Sequence, residues 1–244
     1  MITCLYKTWY LRAGKVNFKN LTSMERVMDP LPPARRRDAE RTKAAILAAA
    51  IAEFSKNGAA GTRVDEIAAS AGVNKSLIYQ YFGSKQELYT EVLTTVFANA
   101  AQRSRVLAET CLADTTLRGM QEVVERFLTL HLRMLDEIPE YPRLLAWENL
   151  DGGKTLARPQ VKKSFMQLQE YTAAALRTFE ARGLLEAKID SRLGLLSTMA
   201  LTHYYSNYKA LTHEMLKSDQ YDDNTIRYLW IKHCASFLSA QAVR

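Results

Sequence analysis

Asn74, Lys75 and Ser76 stand directly before Ile78, Tyr79, Tyr81 and Phe82 in the stretch AGVNKSLIYQYFGSKQEL, residues 71–88. An amide, an ammonium and a hydroxyl in a row are poor equipment for bond-making, but they can read a polyanion. Amides and hydroxyls donate and accept at base edges, and an ammonium meets phosphate. A tyrosine lays its ring on the apolar surface of a sugar while its hydroxyl reaches a phosphate oxygen. Placed on a helix, Ile78 and Phe82 share one face, four residues apart. Tyr79 and Tyr81 then point away from that face, and Lys75 and Lys85 bracket the surface they form.

Charge supports a polyanion partner for one end of the chain. The formal net charge is +7 over 244 residues. Residues 1–106 hold 16 Lys/Arg against 9 Asp/Glu, whereas residues 107–244 hold 17 of each. The positive excess therefore lies wholly in the N-terminal part, as nucleic-acid or membrane-surface binding would require. No apolar run reaches the ~18 residues of a membrane span, and the opening MITCLYKTWYLRAG lacks a signal-peptide h-region. Cys4, Cys111 and Cys234 are too far apart for a disulfide framework or metal-ligand spacing. A reducing cytoplasm fits them. The chain has no nucleophile elbow, phosphate loop, dinucleotide fingerprint or metal-ligand cluster, and His131, His203, His213 and His233 show no partner spacing. An enzyme is not expected, and neither a cofactor nor a metal is called for.

The elements that must position these side chains are helices. Glycine and proline are scarce and nothing alternates with period two. Residues 1–38, with PLPPARRRD, read as a flexible basic arm, and Met24 and Met28 are later candidate starts. A first helix is expected from about Ala39 to Lys56, with Ile46, Ala50 and Phe54 as its stripe and Asn57-Gly58 as its stop. Thr62 and Asp65 resemble a capping box that opens VDEIAASA. Gly72 ends that helix, Asn74 caps KSLIYQYF, and Ser84 to Glu87 form a full capping box for a long helix carrying Leu88, Val92, Val96 and Phe97. Larger amphipathic helices are expected at 116–136, 140–150, 157–182, 190–217 and 223–241. Three short helices with a tight turn between the second and third make a helix-turn-helix, whose third helix presents its N-terminal end to DNA.

IAASAGVNKSLIYQYFGSKQEL, residues 67–88, resembles the TetR family of bacterial transcriptional regulators, over roughly residues 40–95. The resemblance implies an all-α homodimer. Its N-terminal three-helix helix-turn-helix domain would span 39–84, and a helical bundle for effector binding and dimerisation would span 85–244. It implies further that Asn74, Lys75, Ser76, Tyr79 and Tyr81 belong to the recognition helix, with Leu77 and Gln80 on the same surface. Lys85 matches a phosphate-contacting lysine, and Thr62 and Arg63 match the backbone-contacting region before the second helix. Asn74 and Leu77 depart from the Ser or Thr the family carries there. The asparagine can cap or read adenine, and the leucine can meet a thymine methyl. The implied partners are double-stranded operator DNA, a small-molecule effector and a second copy of the chain, with no membrane. The expected function is a repressor that an effector releases from a pseudo-palindromic operator. An activator or global regulator of the same fold is the alternative.

An effector cavity should be mostly apolar with a few polar anchors. Candidates on the amphipathic helices are His131, Arg143, Trp147, Glu148, Asn149, Tyr171, His203, Tyr204 and Tyr208. The run YPRLLAWENLDGG, residues 141–153, is similar to the matching region of pyrimidine-responsive repressors of that family. Leu193, Leu196 and Ala200 on one late helix, with Ile226, Trp230 and Phe237 on the next, are expected to form a four-helix dimer interface.

Overall fold

A computed structural model describes residues 33–184, 191–216 and 221–240, all of them helix or short connection. Residues 1–32, most of the expected basic arm, lie outside the described residues. The chain divides into two compact units, Met1–Thr42 and Lys43–Arg244. Ten helices are described: α1 Pro33–Gly61, α2 Val64–Ala71, α3 Lys75–Phe82, α4 Lys85–Ala113, α5 Met120–Glu137, α6 Glu140–Leu150, α7 Pro159–Ala181, α8 Ser191–Asn207, α9 Lys209–Leu216 and α10 Asp223–Ala240. No helix among the described residues is long and apolar enough to cross a membrane.

Helix α1 begins at Pro33 rather than near Ala39. Proline is favoured at a first helical position, because its missing N–H is unpaired there anyway. At the expected stop the chain kinks instead of ending, since Gly58 takes φ 69 and ψ 175. Ile46, Ala50 and Phe54 are fully buried, as their spacing predicts. They form the floor on which α2 and α3 sit through Ile67 and Ile78, both at 0% exposure. Gly72 holds φ 66 in the turn, and Val73 N–H closes it on Ala68 O at 3.0 Å. Only glycine adopts that backbone without cost.

The long helix α4 runs from this head into the body. Leu88, Val92, Val96 and Phe97 are buried, and burial continues to Cys111. A helix buried on so much of its surface must be wrapped by others, and α4 packs most extensively on α7 and also on α5 and α6. Phe97 meets the Tyr141 ring edge-on at 5.6 Å, which pins α6 to α4.

Two late expectations are corrected. The single helix at 190–217 is interrupted at Tyr208, so His203 and His213 lie on α8 and α9 rather than on one helix. Asn207, a weak helix former, precedes the break. Ile226 is 3% exposed and belongs to the chain's own core, whereas Leu193, Leu196 and Phe237 remain 60%, 58% and 57% exposed.

Candidate nucleic-acid interface and effector region

The N-terminal end of α3 is built by its cap. Asn74 Oδ1 accepts the Ser76 backbone N–H at 2.9 Å and the Ser76 hydroxyl at 3.1 Å. That satisfies one orphan donor of the helix and leaves only the amide nitrogen to donate outward. Bidentate reading of adenine needs both atoms of the amide, so the capping role displaces the adenine-reading one. Lys75 Nζ pairs with Asp65 Oδ2 on α2 at 2.9 Å. The hydrogen bond to that carboxylate is the first cause that raises the lysine's pKa. With Ile78 and Phe82 inward, Arg63, Ser76, Tyr79 and Gln80 are exposed, Tyr79 by 43%.

Other expected contacts sit differently. Thr62 is 1% exposed, and its hydroxyl donates to Gly58 O at 2.8 Å inside the kink. It caps nothing and offers no side chain to DNA. The cap of α2 is Arg63, whose N–H is received by Glu66 Oε2 at 3.1 Å. Tyr81 is half-buried and packs on the core, so it does not point free as Tyr79 does. Leu77 and Lys85 are also half-buried. Ser84 Oγ caps α4 by accepting Glu87 N–H at 3.0 Å, but the Glu87 carboxylate leaves the box. It meets Arg158 Nη1 at 2.7 Å, and that same nitrogen donates to Thr90 Oγ1 at 3.0 Å.

Of the nine effector candidates, Arg143, Trp147, Asn149, His203 and Tyr208 line two adjoining hollows, and the other four do not. His131 and His203 lie in the core between α5, α6 and α8, with ring centroids 5.8 Å apart and His203 edge-on to Tyr141 at 5.4 Å. Thr202 Oγ1 lies 2.8 Å from Thr198 O and 2.9 Å from His131 Nδ1, so the hydroxyl bridges the helix backbone and the imidazole. Beside them is a cavity of about 10 Å³, which His131 lines with Phe127, Gln169 and Met199. Among the described residues, the buried Tyr141 hydroxyl and His203 Nε2 have no hydrogen-bond partner. Tyr171 is a half-buried residue of α7 packed on the core. Tyr204 stacks between Tyr208 at 5.0 Å and Trp230 at 5.8 Å and stays 42% exposed.

Trp147 holds the head to the body, and Glu148 braces the loop before α7. Trp147 Nε1 donates to Ser55 O at 3.2 Å, and a Cβ on Gly58 would come within 2.8 Å of the indole. Glu148 is 1% exposed and receives the backbone N–H groups of Thr155 and Leu156 at 3.1 and 2.8 Å. Its carboxylate is thus spent on the loop before α7 rather than on a ligand. Arg143 and Asn149 stand exposed on the outer side of α6, beside Tyr208. Sequence reasoning missed Asp65, Glu87 and Arg158, because each gains its role from a partner on another element.

Burial pushes His131 down to about 3, with neighbouring His203 adding to the effect, and pushes His203 down to about 4. The folded chain thus holds fewer protons than the unfolded chain between those values and the ordinary 6.5. Stability from this pair is complete above about pH 6.5 and drains away as pH falls toward 4. At pH 5 the loss from His131 should be about 2 kcal/mol relative to pH 7.5. Urea unfolding of His131→Asn should show a pH 5 to 7.5 difference smaller by that amount. An unchanged difference would place the acid sensitivity elsewhere.

Comparison with known proteins comes to the same surface. The sequence model described as "Bacterial regulatory proteins, tetR family" matches residues 46–92. The chain is 36% identical over 169 residues to the HTH-type transcriptional repressor SCO4008 of Streptomyces coelicolor, covering 67% of this chain and 79% of the relative. It is 30% identical over 192 residues to the HTH-type transcriptional repressor NicS of Pseudomonas putida, covering 77% and 86%. A crystal structure of a putative TetR-family regulator from Mesorhizobium loti superposes with a TM-score of 0.61 at 18% identity, over 83% of this chain and 97% of that one. The last likeness is one of fold.

Proposed function

The chain belongs to the TetR family of bacterial transcriptional regulators, and on that premise we propose that it is a repressor whose grip on operator DNA a small molecule controls. The observation that carries the reading is the N-terminal end of α3. Asn74, Lys75, Ser76, Tyr79 and Gln80 are exposed together there, held in register by Ile78 and Phe82 on the opposite face. Arg63 and Lys85 flank the surface and supply phosphate contacts. Residues 39–84 act as the reading head, and residues 85–244 bind effector and a second copy. In the dimer the exposed Leu193, Leu196 and Phe237 of α8 and α10 are covered.

Coupling follows from the attachments of α6. Trp147 grips the kink at Gly58, and Thr62 ties that kink to the start of α2. A ligand that moves α6 thereby reorients the head, and two heads on a dimer lose the spacing that one DNA turn demands. Ligand and DNA then oppose each other through their different affinities for two states. The reading is tested by selecting binders from a random duplex pool. Enriched sequences should form an inverted repeat with half-sites roughly 34–36 Å apart. Binding should weaken steeply with salt. Recovery of no common sequence would sink the proposal.

A further inference from the structure

Where α1, α6 and α8 meet, the surface is hollowed by a groove of about 480 Å³. Lys56 from α1 and Arg143 from α6 line it together with the Trp147 indole. Ala146, Leu150, Asn207 and Tyr208 also line a neighbouring hollow of about 550 Å³, so the two are one trough. Its far part is walled by Leu145, Leu196 and Met199, with Asn149 and His203 as its polar points. Among the described residues no carboxylate lines either part. Neither Lys56 nor Arg143 makes an ion pair among the described residues, whereas most of the basic side chains of α4, α5, α9 and α10 do so. Leu150, at the junction of the two parts, is 79% exposed.

From this arrangement we infer a binding site for a small amphipathic anion, a compound with one carboxylate-like group and a flat or branched apolar body. The two unpaired cations take the anionic group, and the aromatic and aliphatic walls take the body. A trough of this size suits a small organic molecule. An inorganic anion would leave the apolar half uncovered, and a neutral apolar compound would leave two cations without a counter-charge. The site is distinct from the cavity of about 10 Å³ in the bundle beside His131. Because Lys56 belongs to the head and Arg143 to α6, an anion held by both ties the head to the body in one orientation. As the effector site, though not as a binding site, the trough rests on the regulatory reading above.

The probe is 2-naphthoate, with naphthalene-2-carboxamide as its uncharged counterpart of the same shape. Both are titrated calorimetrically into the full chain without DNA, and into K56M, R143M and the double variant. Both positions are exposed, so the variants should fold, and circular dichroism melts verify it. The carboxylate should bind at least about tenfold more tightly than the amide, the strength of one well-placed charge contact. The double variant should erase that preference while leaving amide affinity unchanged. Equal binding of the two probes, a preference that survives in the double variant, or no saturable carboxylate binding would each overturn the site. Operator affinity is measured separately. Naphthoate that binds without altering it keeps the site and removes its role as effector site, whereas a chain that binds no operator sinks the regulatory reading and leaves the site standing.

Discussion

Tyr79→Ala combined with Lys85→Ala is expected to lower operator affinity by roughly 10²-fold while the helical fold is retained. Hydrogen bonds to a charged group contribute about 1.5–3 kcal/mol each, so the loss of two phosphate contacts comes to ~3 kcal/mol. Tyr79 is 43% exposed and opposite the Ile78 face, so its removal opens no cavity. Lys85 is the first residue of α4, where its stem is half-buried while its ammonium has no ion pair among the described residues. Fluorescence anisotropy at two salt concentrations separates the contributions. The lysine should reduce the slope of log affinity against log salt by about one, and the tyrosine should weaken binding at either salt. Tyr81→Ala is the contrasting case. Its ring packs on the core, and its loss should lower the melting temperature before it touches DNA affinity. Unchanged operator binding in a folded Y79A/K85A protein would remove both residues from the interface.

The head was legible in the sequence because its determinants are local. A glycine in a left-handed turn, an asparagine cap and an apolar pair four residues apart each act within a few residues. Each of them stands where the spacing places it. Thr62 was misread for the same reason. Its partner is the carbonyl of Gly58, which becomes available only because the chain kinks there instead of stopping. The body was legible as helices, while of its candidate site residues Arg143, Trp147, Asn149, His203 and Tyr208 line the adjoining hollows and the rest lie elsewhere. Polar and aromatic side chains on amphipathic helices were gathered by type, and type carries no information about which helix lies opposite. His131 therefore proves to be a core residue, Glu148 a brace for a loop, and Arg143 a rim cation. The bond that joins head to body links residues 92 apart, Trp147 and Ser55, and the one that fixes the start of α4 links residues 71 apart, Arg158 and Glu87. Neither pair has a local signature, and only the packed chain brings the partners together.

Glu148→Ala should destabilise the body by about 3 kcal/mol or more, the largest loss of stability expected from one side chain in this region. Its carboxylate is almost fully buried and accepts two backbone N–H groups, from Thr155 and Leu156. Burial, and after it the nearby Glu148 carboxylate, push the Tyr89 phenol's pKa well up, so the phenol stays protonated beside it. Removing the acceptor strands two backbone donors at about 1–3 kcal/mol each, partly relieved where water enters. The consequence reaches the head, because the loop that Glu148 braces carries Arg158 to Glu87 and Thr155 to Gln86 on the first turn of α4. Glu148→Gln keeps the shape and one accepting oxygen, so it should lose less stability, about half as much, and remain folded. In that variant the urea midpoint should fall with an unchanged m-value. Its operator affinity in the absence of ligand should weaken too, because the start of α4 is less firmly held. A Glu148→Ala midpoint equal to that of the natural chain would mean that solvent reaches these donors and that the loop carries no strain between body and head. A lowered midpoint with untouched operator affinity in Glu148→Gln would make the brace structural and leave Trp147 as the contact that transmits the switch.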